Sequence, residues 1–214
     1  LHDKIDVALE WAESADDLDA EINRRIREPI ALENAPLWQA TAFKVSANEH
    51  VVVLMLHHIL ADGWSMGILV RDLAAAYEQE ESGKAQLRYV DHVAWQEAQD
   101  TAGDLDYWRE QLRGLPLELN LPTDLPRPSE LSFAGGNVDF ELRSDDLAAL
   151  RQIGQQAGTT LFMTLFAAFN VLLQRYSDEN DIAIGTPVAN RPRPELESII
   201  GLFVNTVVLR TKLG

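Results

Sequence analysis

The sequence predicts a mixed α/β fold with two lobes. Strand-like runs of apolar or alternating residues recur along the chain between runs that repeat every three to four residues. A segment at residues 116–136 contains four prolines and ends on two glycines, which exclude a long helix or a central strand there. We therefore predict an N-terminal lobe over residues 1–115, a crossover over residues 116–136 and a C-terminal lobe over residues 137–214.

The N-terminal lobe is predicted to begin with a helix and a hairpin. Apolar residues recur every four positions over residues 16–28, which predicts a helix that stops at Pro29. Residues 37–45 and 50–57 are typical of two strands joined by a short loop. Because residues 51–56 are apolar at every position, we expect the second strand to be buried on both faces and central in its sheet.

Three helices are predicted to follow in the same lobe. Ser65 precedes a periodic apolar run and is the predicted N-cap of the first helix. Residues 89–99 and 105–112 predict two more helices, with Trp95, Tyr107 and Trp108 as their aromatic anchors. We interpret these aromatic residues as core packing.

The C-terminal lobe is predicted to contain three strands and two helices. A strand is expected over residues 137–142, followed by a helix that ends at Gly158. The strongest helical periodicity in the chain covers residues 162–176 and indicates a core helix. Two strands over residues 181–188 and 202–211 complete the pattern.

Charge and composition exclude several classes of function. The formal net charge is −16, from 18 basic and 34 acidic side chains, so a nucleic-acid backbone would be repelled. The chain contains no cysteine, which excludes disulfides and a cysteine nucleophile and is compatible with a reducing cytoplasm. No apolar run has membrane-spanning length. We expect a cytoplasmic protein that binds neither nucleic acid nor a membrane.

The most informative segment is HHILADGWS at residues 57–65, which follows the apolar strand. Successive side chains of an extended strand point to opposite faces, so His57 and His58 would differ in role if the strand continued through them. One would be fixed in the interior and the other would face a cleft. Asp62 could orient the turn or pair with a distant cation, and Gly63 would permit close backbone approach or an unusual dihedral.

Two competing interpretations of this segment are weaker. A metal site is disfavoured, because adjacent histidines on a strand diverge and the other histidines lack ligand-like spacing. A serine hydrolase is disfavoured, because the chain has no G-x-S-x-G motif and Ser65 has no base nearby in sequence. An exposed imidazole without a nucleophile suits direct transfer between two bound substrates, with histidine as general base or hydrogen-bond acceptor.

Residues 57–65 resemble the HHxxxDG motif of the condensation domains of nonribosomal peptide synthetases, which have a chloramphenicol-acetyltransferase-like fold. YVDHVAWQ at residues 89–96 resembles the next core motif of this family. YWREQL at residues 107–112, followed by LPTDLPRP at residues 121–128, resembles its crossover segment. IGLFVNTVVLR at residues 200–210 resembles its later G-x-F-V-N-T motif. The four matches occur in the order of the family.

The resemblance implies a two-lobed sandwich of helices packed on mixed sheets, with a channel between the lobes. Donor and acceptor peptidyl carrier proteins would deliver their substrates through phosphopantetheine arms, and the domain itself would bind no cofactor and no metal. The acceptor amine would attack the acyl or peptidyl thioester and form an amide, which makes the domain an acyltransferase. A neighbouring adenylation domain in the same multidomain chain is the other implied partner.

The resemblance also implies roles for individual residues. His58 matches the catalytic second histidine of the motif, and His57 matches the structural first one. Asp62 matches an aspartate that pairs with an arginine of the other lobe, for which Arg191 is the candidate and Arg193 the reserve. The remaining candidates are a supporting glycine and three residues expected to line the substrate channel: Gly63, Trp64, Ser65 and Asn205.

Other expectations stay open beside this one. Complete condensation domains extend beyond this chain at both ends, so we expect a partial domain with open strand edges, uncovered apolar helix faces and self-association. A non-catalytic module of the same fold that docks carrier proteins or tailoring enzymes is one alternative. An epimerisation domain is another, although the glycine that follows Asp62 favours condensation.

Overall fold

The structure is a computed structural model that describes residues 9–13, 17–80, 87–126, 128, 130 and 135–214. These residues form, in chain order, β1 (Leu9–Glu13), α1 (Leu18–Ile26), β2 (Trp38–Lys44), β3 (His50–Leu56), α2 (Gly63–Tyr77), α3 (Tyr89–Glu97), α4 (Ala102–Gln111), α5 (Ser144–Gln156), α6 (Leu161–Ser177), β4 (Asp181–Val188), a short 3₁₀ helix (Pro194–Leu196) and β5 (Asn205–Lys212). The predicted mixture of helices and strands is confirmed.

The chain divides into two compact units. One unit comprises Leu1–Gln99 and Pro187–Asn205, and the other comprises Asp100–Thr186 and Thr206–Gly214. The segment Pro187–Asn205 therefore belongs to the same unit as β1–β3 and α2, which contain the histidine motif. The division into lobes at residues 115 and 137 stays a prediction.

The first unit contains a three-stranded sheet in the order β1-β2-β3. β2 is parallel to β1 and antiparallel to β3, with Trp38 opposite Leu56 and Lys44 opposite His50. Ala40, Thr41, Ala42 and Phe43 of β2 are buried. The prediction that β3 is the central, doubly buried strand is therefore wrong for the described residues. β2 pairs along both edges, whereas β3 pairs along one and leaves Val52 about half exposed.

α1 begins and ends close to its predicted limits, and an ion pair and a hydrogen bond hold it to the sheet. The Asp17 carboxylate accepts a hydrogen bond from the Ala20 amide at 2.9 Å and caps the first turn. Arg25, near the other end, donates to Glu10 of β1 at 2.7 Å and to the Thr41 hydroxyl of β2 at 3.1 Å. The helix is thereby fixed across two strands.

The second unit contains α4, α5, α6 and most of β4 and β5. The predicted helix stop at Gly158 is confirmed, because its φ of +65° is a left-handed conformation that favours glycine. The predicted strand over residues 181–188 is also confirmed. Arg210 of β5 binds the Asp181 carboxylate of β4 at 2.8 Å and donates to the Gln111 carbonyl at 2.7 Å. These contacts join the sheet to the end of α4.

The predicted strand over residues 137–142 is wrong. These residues adopt neither helix nor strand, and Val138 and Phe140 are largely exposed. Their alternating apolar pattern is typical of a strand, but no described strand pairs with them, and a strand requires such a partner.

Within the described ranges no single helix is long and apolar enough to cross a membrane. α5 and α6 reach the necessary length and apolar composition only together, as a pair bent by 106°.

Candidate active site

The two histidines lie on a turn that follows β3. The His57 amide still donates to the Leu37 carbonyl at 3.0 Å, next to the last residue pair of the hairpin. The Leu60 amide then donates to the His57 carbonyl at 2.9 Å, which turns the chain away from the sheet. The strand thus ends one residue before His57, and the turn, not the alternation of a strand, separates the two imidazoles.

The His58 ring is held in one tautomer by a backbone carbonyl. Its Nδ1 lies 2.8 Å from the Ala61 carbonyl oxygen. Because a carbonyl oxygen can only accept, Nδ1 carries the hydrogen, and in the neutral ring Nε2 is the nitrogen with the free electron pair. His58 is exposed and lines a cavity, so this nitrogen can accept a proton from a bound group.

The His57 ring stabilises the turn. Its Nδ1 accepts a hydrogen bond from the Ile59 amide at 3.2 Å, and its side chain is half-buried. An imidazole nitrogen that accepts from the backbone cannot at the same time take a proton from a substrate. The geometry therefore separates the two rings, with His58 turned to the cavity and His57 to the backbone. The catalytic role of His58 and the structural role of His57 stay predictions.

Asp62 caps α2 and is buried. Its Oδ1 accepts hydrogen bonds from the Ser65 amide at 2.9 Å and from the Ser65 hydroxyl at 2.8 Å. The prediction that Ser65 is the N-cap is therefore wrong: the cap lies three residues earlier, at Asp62. A carboxylate at this position also interacts favourably with the positive end of the helix dipole.

The second carboxylate oxygen of Asp62 binds the segment that precedes β5. Oδ2 accepts from the Phe203 amide at 3.0 Å and from the Val204 amide at 3.2 Å. Burial alone would raise the pKa of Asp62, but the hydrogen bonds from Ser65 and Phe203 outweigh it and lower this pKa from 3.8 to about 2. The charge of Arg191 acts in the same direction.

The ion pair expected between Asp62 and Arg191 is present. One terminal nitrogen of Arg191 lies 3.2 Å from Oδ1 of Asp62 and 3.0 Å from the Ser65 hydroxyl. Its other terminal nitrogen donates to the carbonyl oxygens of Leu196 and Ile199. The guanidinium also lies over the Phe203 ring, 4.0 Å from its centroid. These contacts fold the 191–204 segment onto the start of α2.

Arg193, the reserve candidate, has a different neighbour. Its guanidinium lies over the Trp95 ring, 5.1 Å from the ring centroid. Arg191 is thus the arginine that binds the aspartate of the motif, and both lie in one compact unit.

Ser65 is an interior residue of this cluster. It is fully buried, its hydroxyl accepts from the Gly201 amide at 3.0 Å, and it lies within hydrogen-bonding distance of the Gly201 carbonyl at 2.9 Å. The prediction that Ser65 lines a substrate channel does not fit this burial, because its side chain has no exposed surface. Ser65 instead ties α2 to Gly201, 136 residues later in the chain.

Three further candidates lie on the surface. Trp64 is about half exposed, and its indole N–H donates to the Glu197 carbonyl at 3.0 Å. Gly63 is exposed, has no positive φ, and a Cβ built there would meet nothing within 4 Å. The expected unusual dihedral is therefore absent, and open space lies in front of the residue. Asn205 is exposed at the first position of β5.

One close packing contact in this site was not predicted. The Tyr89 ring lies so near Gly201 that a Cβ on the glycine would come within 2.2 Å of it, and the Tyr89 hydroxyl donates to the Leu202 carbonyl at 2.8 Å. Phe203 packs edge-on against Tyr89 and also contacts His92. Residues 89–96 and 200–210 each resemble a motif of the family. Nothing in their sequences predicts that two segments so far apart in the chain are in contact.

His58 opens onto a cavity of about 470 Å³ within the first unit. Besides His58, its walls include Gly63 and the end of β3. The cavity lies within the usual size range of small-molecule sites, which are mostly apolar with a few polar groups. A base with a fixed tautomer at such a cavity is suited to proton transfer to or from a bound substrate.

A known protein family matches almost the whole chain. The sequence model of the family described as Condensation domain matches residues 2–214, almost the whole chain. The chain belongs to the condensation-domain family. The predicted family resemblance is thereby confirmed.

This condensation domain is similar to segments of large peptide synthetases. It is 39% identical to tyrocidine synthase 3 of Brevibacillus parabrevis over 216 residues, which cover 99% of this chain and 3% of the synthase. It is 38% identical to surfactin synthase subunit 2 of Bacillus subtilis (strain 168) over 213 residues, which cover 99% of this chain and 6% of that subunit. The chain thus spans a small part of the curated relatives that it matches.

Solved structures share the fold. Holo-AB3403, a four-domain nonribosomal peptide synthetase, matches with a TM-score of 0.88 and 27% identity over 99% of this chain and 17% of its own. The X-domain solved in complex with OxyB from teicoplanin biosynthesis matches with a TM-score of 0.87 and 30% identity over 100% of this chain and 50% of its own. The chloramphenicol-acetyltransferase-like fold class expected from the sequence is confirmed.

Proposed function

We propose that this condensation domain joins two carrier-bound substrates through an amide bond in nonribosomal peptide synthesis. The donor is an acyl or peptidyl thioester on one carrier protein, and the acceptor is an aminoacyl group on a second. The observation that carries the proposal is the His58 ring, whose Nδ1 is bound to the Ala61 carbonyl while the ring lines a cavity. Membership of the condensation-domain family supports it.

The proposed reaction needs one proton acceptor near the attacking nitrogen. The acceptor amine attacks the thioester carbonyl, the C–N bond forms, and the C–S bond breaks as the tetrahedral intermediate collapses. Nε2 of His58 takes the proton lost by the nitrogen and returns it to the departing thiolate, so the products are an amide and a thiol. General-base catalysis of this kind contributes a factor of about 10²–10⁴.

Positioning contributes alongside base catalysis. A thioester is already activated, and an α-amino group with a pKa near 8 is partly neutral at pH 7. Holding two tethered reactants in contact can therefore contribute as much as proton transfer, or more. The cluster of Asp62, Ser65 and Arg191 supports this function, since it fixes the start of α2 directly after the turn that carries His58.

The proposal includes the partners of the reaction. Phosphopantetheine arms of the donor and acceptor carrier proteins bring the substrates, and a neighbouring adenylation domain selects an amino acid for loading. The condensation domain contributes its own side chains and no bound cofactor or metal. We further propose that it works in the cytoplasm, where the loaded carriers are formed.

An assay with two loaded carriers tests the proposed function. The full natural protein is mixed with donor-loaded and acceptor-loaded carrier proteins, and the acceptor carrier is examined by intact-protein mass spectrometry. We expect the acceptor carrier to gain the mass of the donor group. Hydroxylamine should then release the donor and the amino acid together as one hydroxamate, because it cleaves the thioester to the carrier and leaves the new amide intact. Absence of that product with every substrate pair would refute the proposal.

A docking function is the second candidate, and the similarity to the X-domain supports it, since that domain was solved in complex with OxyB. A docking module would bind loaded carriers, or a tailoring enzyme, and make no amide. The same assay, combined with measurement of carrier binding, therefore separates the two functions.

A further inference from the structure

We propose that the cavity beside His58 holds an uncharged, apolar side chain of the carrier-bound amino acid and rejects acidic ones. This inference rests on the proposed function and adds the chemical class of the substrate. It concerns the group that lies next to His58 when the amide forms, whether it belongs to the donor or to the acceptor.

The walls of the cavity are mostly apolar. Its large side chains come from the end of α1 and the residues after it, from the end of β3 and from the first turns of α2: Ile26, Ile30, Leu54, Met55, Leu56 and Met66. The volume of about 470 Å³ leaves room for an amino-acid side chain and part of the arm that carries it. Burial of an apolar side chain against these walls is favourable, because it removes apolar surface from water.

The charged groups among the described residues that line the cavity are carboxylates. Of the described residues that line it, none is lysine or arginine, whereas Glu28 and Asp62 are carboxylates. Both oxygens of Asp62 are occupied by protein donors, so Asp62 is not available to a ligand. Glu28 is about half exposed, and its pair with Arg24 uses only Oε1, which leaves Oε2 open to a ligand. Glu28 is therefore the carboxylate that a substrate group can meet.

These charges predict an order of substrates. Removing a charged side chain from water into an apolar site is unfavourable unless the charge is paired there. A basic side chain can pair with Glu28, whereas an acidic one meets a like charge and finds no lysine or arginine among the described lining residues. We therefore expect leucine to be used best, lysine less well and aspartate least.

A comparison of three amino-acid substrates in the full natural protein tests this order. Leucine, lysine and aspartate are loaded in turn on the acceptor carrier with one fixed donor, and then on the donor carrier with one fixed acceptor. We expect kcat/KM for amide formation to be about 10-fold or more lower for aspartate than for leucine in one of the two series. The series that shows the difference identifies which substrate lies in the cavity.

The outcomes distinguish this inference from the proposed function. Equal rates for the three amino acids in both series would overturn the inference while amide formation still supported the function. Absence of amide with every pair would overturn both.

A matched pair of variants locates the selectivity. Ile26 lines the cavity and Val70 does not, yet both are β-branched side chains on helices and both are 60% exposed. Ile26→Lys places a cation on the cavity wall at the end of α1, where it is compatible with the helix dipole. We expect Ile26→Lys to lower the leucine-to-aspartate ratio of kcat/KM by about 10-fold or more. Val70→Lys should leave the ratio unchanged.

The variants also give a result that would contradict the inference. Circular dichroism and thermal unfolding establish that both variants are folded before the rates are compared. An unchanged ratio in folded Ile26→Lys, or an equal change in Val70→Lys, would place the selectivity outside this cavity.

Discussion

Asp62 and Arg191 form an ion pair that is 3.2 Å long and almost completely buried, with their side chains 3% and 1% exposed. The pair joins the first residue before α2 to a segment 129 residues later. Asp62 also lies four residues after His58, at the end of the turn on which that ring is held. The ion pair therefore fixes the end of the turn that carries His58.

Removal of Arg191 is predicted to destabilise the domain strongly. In Arg191→Ala, the Asp62 carboxylate remains buried without its cation, and the carbonyl oxygens of Leu196 and Ile199 lose their donor. Breaking one side of a buried pair costs about 3–5 kcal/mol, which urea unfolding can measure. Arg109→Ala is the control, because its pair with Asp106 is exposed and should be worth about 1 kcal/mol or less. Equal losses in the two variants would contradict this account.

The stability of the domain is predicted to depend on pH through Asp62. The pKa of Asp62 is lowered from 3.8 to about 2 in the folded state. The charged carboxylate therefore stabilises the fold fully when the pH is above the pKa of this residue in the unfolded chain. This contribution, about 2 kcal/mol, is lost as the pH falls from about 4 to about 2. Unfolding free energies of the natural protein and of Asp62→Asn, measured between pH 2 and pH 6, should converge in that interval. Parallel curves would show that Asp62 does not titrate in this way.

Gly201→Ala is predicted to destabilise the domain through Tyr89. The added methyl would lie 2.2 Å from the Tyr89 ring, which is fixed by its hydrogen bond to Leu202 and by packing against Phe203. Forcing a methyl into such a contact costs about 1–3 kcal/mol or more. In a Tyr89→Ala background the same methyl has room, so the double-mutant cycle should show a large coupling energy. Additive effects would mean that the two residues are not in contact.

Gly63→Ala, unlike Gly201→Ala, is predicted to keep the stability of the domain and to lower its activity. Its Cβ would meet nothing within 4 Å, and alanine is the better helix residue, so stability should be equal or slightly higher. The methyl would instead narrow the cavity beside His58, and kcat/KM for amide formation should fall. Natural activity in this variant would show that substrate does not pass in front of Gly63.

The sequence predicted the elements around the site well, for identifiable reasons. The presence of β3 follows from an unbroken apolar run and that of α2 from a helical period, and both patterns are local properties of the chain. Assignment of the cap to Ser65 was wrong because serine and aspartate are both good caps, and three-dimensional contacts decide between them. The role of Ser65 depends on Gly201 and Arg191, which contact it only in the folded chain.

The wrong predictions concern pairing, which periodicity does not encode. The apolar composition of β3 predicts that both faces of the strand are buried, but it does not predict which edge of the strand is paired. Residues 137–142 have the alternation of a strand and lack a described partner. The contact of Tyr89 with Gly201 joins two motifs more than a hundred residues apart, and neither motif contains a local sign of the other.

The most direct test of the account is the rate of amide formation by His58→Ala in the full natural protein. The single hydrogen bond described for the His58 ring is to the Ala61 carbonyl, and the ring is exposed, so the variant should remain folded. With donor and acceptor carriers bound at saturation, we expect the single-turnover rate to fall by about 10²–10⁴. A folded His58→Ala protein that forms the amide at nearly the natural rate would contradict a role for His58 in both proton transfer and positioning.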